Sequence, residues 1–93
     1  MKSKHKGAHS EHLAITWLLS QGYDVFRNVS PHGHADLIAW LGDDVIKIDV
    51  KTLSFQHNKG GTSTPYWTNL TKEQKEEGVK LLLVPPTSDP YWG

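Results

Sequence analysis

The first part of the chain carries apolar side chains at the spacing of an amphipathic α-helix. Side chains three or four positions apart share one face of a helix, and the positions that fit are Leu13, Ala14, Ile15, Trp17, Leu18 and Leu19. Gly22 follows this pattern and is a residue type that commonly ends a helix. We therefore expect a first helix over residues 7–21 that packs one face against the rest of the protein.

Three segments after this helix alternate between apolar and polar side chains, which is the period of a β-strand. They are residues 23–29, 34–41 and 45–52. The short polar sequence Gly42-Asp43-Asp44 predicts a tight connection, so the second and third strands should pair as an antiparallel hairpin. Residues 54–69 are polar and have no period, and they predict a long exposed loop.

The last third of the chain predicts one more helix and one more strand. Thr71 and Gln74 have the spacing of a capping box, so a short helix should run to Glu77. This capping role accounts for Gln74. The apolar run over residues 79–84 predicts a buried strand, and residues 85–93 predict an irregular tail.

The composition fits one folded domain. The chain has 93 residues, of which 37% are hydrophobic, so we expect a single α/β domain over residues 1–93. Its order would be α-β-β-β-α-β, with a mixed central sheet flanked by helices. No apolar run is long enough to cross a membrane, and the N-terminus lacks the apolar core of a signal peptide, so we expect a cytoplasmic protein. The absence of cysteine excludes disulfides, zinc thiolates and a cysteine nucleophile.

Charge is distributed unevenly along a chain whose total charge is balanced. Ten Lys and Arg oppose ten Asp and Glu, and residues 1–6 form a basic N-terminal segment. Nucleic-acid binding would therefore depend on where the charges lie and not on the net charge.

Two aspartates and a lysine interrupt the apolar pattern of the predicted hairpin. Alternation places Asp49 and Lys51 on the face of the third strand opposite Ile48, and Asp36 of the second strand can lie across from Asp49. Charges inside apolar strands are costly unless they are paired, and like charges held close raise each other's pKa. A magnesium ion would explain both carboxylates, because it prefers oxygen ligands and takes one or two carboxylates from the protein.

Lys51 and Glu11 complete the predicted site. Lys51 lies two residues beyond Asp49 on the same face, so its ammonium can stand where negative charge accumulates during phosphodiester hydrolysis. Glu11 shares the inward face of the first helix with apolar residues, an unusual place for a carboxylate unless it serves the site. The alternative interpretation is a buried ion pair of Asp49 with Lys51 or Lys47. Asp36 would then be a turn or edge residue.

These residues and their surroundings resemble the PD-(D/E)XK nuclease superfamily over residues 7–84. The resemblance is carried by Glu11 on the first helix, by Ala35-Asp36-Leu37-Ile38-Ala39 and by Ile48-Asp49-Val50-Lys51-Thr52. The sequence is similar to archaeal Holliday-junction resolvases, phage resolvase-like nucleases, VRR-type nucleases and group I intron homing endonucleases. Gln74 is placed similarly to the glutamine that opens the second helix in resolvase-like relatives, although its capping role already accounts for it. Two departures are Asp49, where many resolvases have glutamate, and Pro31, which does not directly precede Asp36.

The resemblance implies a magnesium-dependent endonuclease that leaves 5′-phosphate and 3′-hydroxyl ends, with manganese able to replace magnesium. It implies that Asp36, Asp49 and the backbone carbonyl of Val50 bind the metal. Lys51 would position or activate the attacking water, and Glu11 would support the site through a water or a second ion. A phage-encoded member would act in the host cytoplasm or nucleoid.

Basic, aromatic and small polar residues outside this set are candidates for DNA contact. They are Lys4, Lys6, Ser30, His34, Lys59, Tyr66 and Trp67. Aromatic rings can stack on unpaired bases, and basic side chains can contact phosphates. For each of these residues the alternative is an ordinary structural or surface role. A further aromatic residue, Trp40, is expected in the core.

Three functions remain open from the sequence. The first is a structure-selective endonuclease for branched DNA, acting as a homodimer or larger homo-oligomer, because one site cannot cut two strands symmetrically. The second is a sequence-specific endonuclease of the homing or restriction kind, for which residues 54–69 could read bases. The third is a DNA-binding module without catalysis.

Overall fold

The structure is a computed structural model that describes residues 3–30 and 32–93, and the backbone alone for residues 3 and 4. Pro31 and the side chain of Lys4, which the sequence analysis singled out, lie outside the described part. The described elements are helices α1 (Ser3–Ser20) and α2 (Lys72–Glu76) and strands β1 (Asp24–Arg27), β2 (Leu37–Leu41), β3 (Asp44–Thr52), β4 (Ser54–His57), β5 (Ser63–Tyr66), β6 (Lys80–Val84) and β7 (Tyr91–Trp92).

Five of the strands form one mixed sheet in the order β1-β2-β3-β6-β7. Strands β1, β2 and β3 are antiparallel neighbours, as the sequence predicts for β2 and β3. Strand β6 lies parallel to β3, because the chain crosses over through the β4–β5 segment and α2 before it returns to the sheet. The remaining strand, β7, is antiparallel to β6 at the edge.

Helix α1 covers one face of this sheet, as its apolar stripe predicts. The core between them consists of fully buried apolar side chains from the helix and from β2, β3 and β6: Ala14, Leu18, Leu37, Ala39, Ile48, Leu82 and Val84. Because side chains alternate along a strand, the residues between these positions project from the opposite face. That second face carries Asp49 and Lys51, so the candidate site lies on the side of the sheet away from α1.

Residues 54–69 do not form the expected loop but contain an antiparallel hairpin. Strands β4 and β5 form a separate two-stranded sheet in which Phe55 pairs with Pro65 and Gln56 with Thr64. The sequence hid this hairpin because Pro65 weakens a strand pattern and the five-residue connection contains two glycines, Gly60 and Gly61. Both glycines have positive φ values, 88° and 84°, which the turn requires.

The C-terminal segment is also more regular than expected. Tyr91 and Trp92 pair with Leu83 and Leu82, and the Trp92 ring meets the Trp17 ring edge to face at 6.0 Å between centroids. A strand of two residues after a proline has no pattern of its own, so only the long-range pairing reveals it.

Trp40 was wrongly expected in the core. It is 46% exposed, because Ala39 beside it points towards α1 and Trp40 therefore points to the opposite face. In residues 3–30 and 32–93, no helix is long and apolar enough to cross a membrane.

Candidate active site

The two aspartates meet at the end of the β2–β3 pair. Leu37 pairs with Ile48, and the amide of Asp36 donates to the carbonyl of Ile48 at 2.8 Å, so Asp36 lies across from Asp49. Oδ2 of Asp36 accepts a hydrogen bond from the amide of Val50 at 2.7 Å. The register of the hairpin therefore produces the arrangement that strand alternation predicts.

Asp49 is a buried carboxylate with one oxygen that lacks a hydrogen-bond donor. The residue is 6% exposed, and its Oδ1 accepts from Nε2 of Gln74 at 3.1 Å. Its Oδ2 lies 3.4 Å from Nζ of Lys51, yet it has no hydrogen-bond partner within the described part of the chain. Burial, and then the negative charge of Asp36, raise the pKa of Asp49, whereas Lys51 and Gln74 oppose this rise.

Lys51, and not Lys47, is the lysine beside Asp49. The Lys51 side chain is 31% exposed and can reach both the aspartate and solvent. Nζ of Lys47 instead donates to the carbonyl of Glu77, at 2.8 Å, and so ties β3 to the end of α2. The ion pair considered as an alternative is thus formed with Lys51, but it leaves Asp49 with a raised pKa.

Gln74 is a site residue whose second role the sequence analysis missed. Its side-chain Oε1 accepts a hydrogen bond from the backbone amide of Thr71 at 2.8 Å. Its backbone amide donates to the Thr71 hydroxyl at 3.2 Å, which completes the predicted capping box. The same side chain donates through Nε2 to Asp49 and to the carbonyl of His34, the latter at 2.9 Å. The sequence held the signal, since both the capping spacing and the similarity to resolvase-like nucleases pointed to Gln74.

Glu11 lies on α1 and forms an ion pair with Arg27. Its Oε1 is 2.8 Å from Nε of Arg27, and its side chain is 27% exposed. Among residues 3–30 and 32–93 there is no group of three or more histidine or acidic side chains arranged to hold a metal ion. A supporting role for Glu11 at the metal stays a prediction. Its neighbour Ser10, which is buried, joins α1 to the end of β3 through a 2.6 Å hydrogen bond to Thr52.

The candidate DNA-contact residues fall into separate groups. Lys6, Lys59, Tyr66 and Trp67 belong to the β4–β5 hairpin and its surroundings, where Nζ of Lys6 donates to Oγ of Ser54 at 2.7 Å. His34 lies beside the site, with its Nδ1 2.6 Å from Oε2 of Glu77. Ser30 lies in the turn after β1, where its amide donates to the side chain of Asn28 at 2.8 Å.

The oxygen donors at this position suit a hard divalent cation. Magnesium prefers oxygen ligands and uses one or two protein carboxylates, which Asp36 and Asp49 can supply. The buried Oδ2 of Asp49 has a free lone pair, and a cation there would offset the repulsion between the two carboxylates. The residues present therefore fit a magnesium or manganese ion.

Comparisons with known proteins agree with this geometry. The family model described as PD-(D/E)XK endonuclease matches residues 1–80. A UPF0102 protein from Thermodesulfovibrio yellowstonii is 35% identical over 81 residues, which cover 84% of this chain and 69% of that protein. The structure of the bacterial homing endonuclease I-Ssp6803I matches with a TM-score of 0.67 and 16% identity, over 100% of this chain and 69% of that one.

The structural match confirms the predicted fold class, a restriction-endonuclease-like α/β domain with a mixed sheet. The chain belongs to the PD-(D/E)XK endonuclease family, which confirms the resemblance found in the sequence. It is therefore a nuclease of the PD-(D/E)XK type.

Proposed function

We propose that this protein is a metal-dependent endonuclease that hydrolyses phosphodiester bonds in DNA, with Asp36, Asp49 and Lys51 at its centre. One observation carries the proposal. The two carboxylates lie opposite each other, just before β2 and within β3, and the buried Oδ2 of Asp49 makes no hydrogen bond in the described part of the chain, with the Lys51 ammonium 3.4 Å away. That arrangement is unfavourable for a purely structural pair and favourable for a cation site.

Each side chain of the site has a distinct task in this proposal. Asp36 and Asp49, with the backbone carbonyl of Val50, hold a magnesium or manganese ion. The bound cation supplies Lewis-acid stabilisation of the phosphate charge. Lys51 orients the attacking water and stabilises the negative charge that develops on the phosphate, because its ammonium is partly exposed beside Asp49. Glu11 would support the site through a water or a second ion at the end of β3, where its neighbour Ser10 bonds Thr52.

Gln74 and the products complete the proposed reaction. The side-chain amide of Gln74 fixes the Asp49 carboxylate in one orientation, since it donates to Oδ1. Gln74 is itself held in the capping box at the start of α2. Water attack on the phosphorus, with departure of the 3′ oxygen, leaves 5′-phosphate and 3′-hydroxyl ends.

The substrate we favour is branched DNA, cut on two strands by paired sites. The second candidate is a sequence-specific cut in linear duplex DNA, as in homing or restriction enzymes. A specific observation favours this second candidate: residues 54–66, expected to be a loop, contain an ordered β-hairpin next to the site.

A homodimer fits the sheet face that carries the site. Phe26, Trp40 and Val45 on that face are 53%, 46% and 63% exposed, and they lie in adjacent rows of β1, β2 and β3. Contiguous exposed apolar surface commonly marks an interface. In sedimentation velocity, Val45→Asp should dissociate the dimer. Leu19→Asp, on a helix that packs against the other face of the sheet, should leave it intact.

The proposed activity can be tested with four labelled DNA substrates: a four-way junction, a flap, a single strand and a linear duplex. Wild type and Asp49→Ala are incubated with magnesium or with EDTA. Asp44→Ala, at the exposed start of the same strand, is the matched control. We expect magnesium-dependent cleavage by wild type and Asp44→Ala, and none by Asp49→Ala.

The pattern of cuts separates the candidates. Paired cuts on the junction support the branched-DNA preference, whereas one defined cut in a linear duplex supports sequence-specific cleavage. If wild type cuts none of these substrates and no genomic DNA, the enzymatic proposal fails and a binding module remains.

A further inference from the structure

The β4–β5 hairpin is an ordered two-stranded ribbon with its own closed turn. Its strands pair from Ser54 with Tyr66 to His57 with Ser63. The connection is closed by a hydrogen bond from the amide of Asn58 to the carbonyl of Thr62, at 2.9 Å. The side chain of Asn58 also donates to the Thr64 hydroxyl at 2.6 Å. The ribbon therefore has a defined shape and is not a random loop.

The ribbon is anchored at its base and exposed along its length. Leu53 is 5% exposed, and its amide donates to the carbonyl of Val84 at 2.9 Å, which ties the base to the main sheet. Every residue from Phe55 to Tyr66 is exposed. An isolated two-stranded hairpin is at best marginally stable in water, so an exposed ribbon of this length indicates a surface that contacts a partner.

The charge of the segment indicates that the partner is a polyanion. The chain as a whole is neutral, yet no acidic residue occurs between Asp49 and Glu73. Lys59 occupies the turn of the ribbon, and Lys6 of α1 contacts its base through Ser54. Nucleic acid is attracted by this combination of missing negative charge and positive side chains.

The dimensions and position of the ribbon favour the major groove of duplex DNA. That groove admits a two-stranded β-ribbon, and only there does each base pair present a distinct pattern of donors and acceptors. The ribbon begins only three residues after Lys51, about 10 Å along an extended chain, so DNA cut at the site would pass beside it. Gln56 and Thr64 pair across the ribbon on one face, and glutamine can bond the major-groove edge of adenine.

We propose that the β4–β5 hairpin inserts into the major groove of duplex DNA beside the cleavage site, with Lys59 on a phosphate and Gln56 on a base edge. This inference rests on the proposed function, because it requires DNA at the site. It assigns to the hairpin both affinity for duplex DNA and a preference among sequences.

Binding without cleavage separates this inference from the enzymatic proposal. Wild type, Gln56→Ala and Lys59→Ala are titrated in EDTA with a duplex pool of randomised sequence, and the bound fraction is sequenced. The same pool is prepared with glucosylated 5-hydroxymethylcytosine, whose sugars fill the major groove. Lys80→Ala is the matched control, since Lys80 is also an exposed lysine. It lies at the start of β6, whereas the base of the ribbon joins the end of that strand at Val84.

We expect glucosylation to weaken wild-type binding at least about tenfold, because it blocks the groove that the ribbon enters. Lys59→Ala should lower affinity for all sequences and reduce the salt dependence by about one phosphate contact. Gln56→Ala should remove a preference of about fivefold or more at one base pair. Lys80→Ala should match wild type.

Three results would overturn the inference. The first is that wild type binds no duplex, and the second is that it binds the glucosylated and unmodified pools equally. The third is that Lys59→Ala and Gln56→Ala both bind as Lys80→Ala does. Cleavage with magnesium is measured separately on the same variants. Binding that depends on the ribbon, with no cleavage of the four substrates above or of genomic DNA, would refute the enzymatic proposal alone. Cleavage that ignores both ribbon substitutions would refute the ribbon alone.

Discussion

The end of β3 and the hairpin that follows it are separated by one residue but differ in which side chains are buried and which are exposed. At the end of β3, Asp49 is buried, and its side chain is held by Gln74 beside Lys51. In the hairpin, Phe55 and Tyr66 are 42% and 54% exposed. The charged side chain of Asp49 is thus buried, whereas the aromatic side chains of Phe55 and Tyr66 are exposed. This is the reverse of what solvation alone favours. We propose that each region has a partner that offsets this inversion: a cation at the carboxylates and DNA at the ribbon.

Two lysines test whether these regions divide chemistry from binding. Lys51→Met should lower kcat by about 10²- to 10³-fold, because it removes the charge that stabilises the transition state. Lys59→Met should leave kcat unchanged and raise KM, because its target is a phosphate away from the reaction. Single-turnover cleavage over a range of DNA concentrations separates the two parameters. Equal effects of both substitutions on kcat would remove the distinction.

Two neighbouring apolar residues test the boundary between anchored base and free ribbon. Leu53→Ala should reduce the free energy of unfolding by about 2 to 5 kcal/mol, because it leaves a cavity at a buried position. Phe55→Ala should cost less than about 1 kcal/mol, since this residue is 42% exposed and its truncation leaves no enclosed cavity. Urea unfolding of the metal-free proteins measures both. A large loss from Phe55→Ala would show that the ribbon packs against the domain.

Substitutions of Gln74 test how the buried region is organised. Gln74→Glu keeps an acceptor for the Thr71 amide but loses the donor to Asp49, whereas Gln74→Ala loses both. Both should lower cleavage by about 10- to 100-fold, as for residues that orient a metal ligand. Gln74→Ala should also lower stability, by about 1 kcal/mol, through loss of the capping box, and Gln74→Glu should lower it through repulsion between the new carboxylate and Asp49. Full activity in Gln74→Glu would rule out the orienting role.

The smallest expected effect is a gain in stability from Asp49→Asn without metal. Since burial, and then the negative charge of Asp36, raise the pKa of Asp49 above its ordinary value, the folded protein holds this proton more tightly than the unfolded chain. The stability it contributes is present at low pH and is lost as pH rises through the folded pKa. Asp49→Asn should therefore exceed wild type by about 1 kcal/mol at pH 7 in EDTA and by less at pH 4. Urea unfolding at both pH values checks the difference, and magnesium should stabilise wild type alone.

The sequence predicts the carboxylate pair well because that pair depends on local rules. A period of two assigns Asp49 and Lys51 to one face, and the short turn at Gly42 fixes the register that brings Asp36 opposite Asp49. The contact of Gln74 with Asp49 depends instead on the crossover that returns the chain to the sheet beside β3. No local pattern specifies where such a crossover places a helix.

Glu11 and the hairpin show two further limits of the sequence pattern. Helical spacing assigns Glu11 to the inward face of α1, but it does not resolve whether the carboxylate faces the aspartates or Arg27. The β4–β5 pairing is stabilised by backbone hydrogen bonds between exposed strands, so it leaves little hydrophobic alternation in the sequence. Burial patterns cannot predict an element that is not buried.

The capping box of α2 links the order of this helix to the state of the metal site. Helix α2 has five residues, too few to be stable alone, and Gln74 both closes its first turn and holds Asp49. Fraying of that turn would release the Asp49 carboxylate. A cation that binds more tightly when this carboxylate is held must, by reciprocity, stabilise the folded turn. Amide hydrogen exchange at Lys75, Glu77 and Val79, whose amides bond within this turn and its end, should therefore slow when magnesium is added. Occupancy of the site could then be followed in the absence of any DNA.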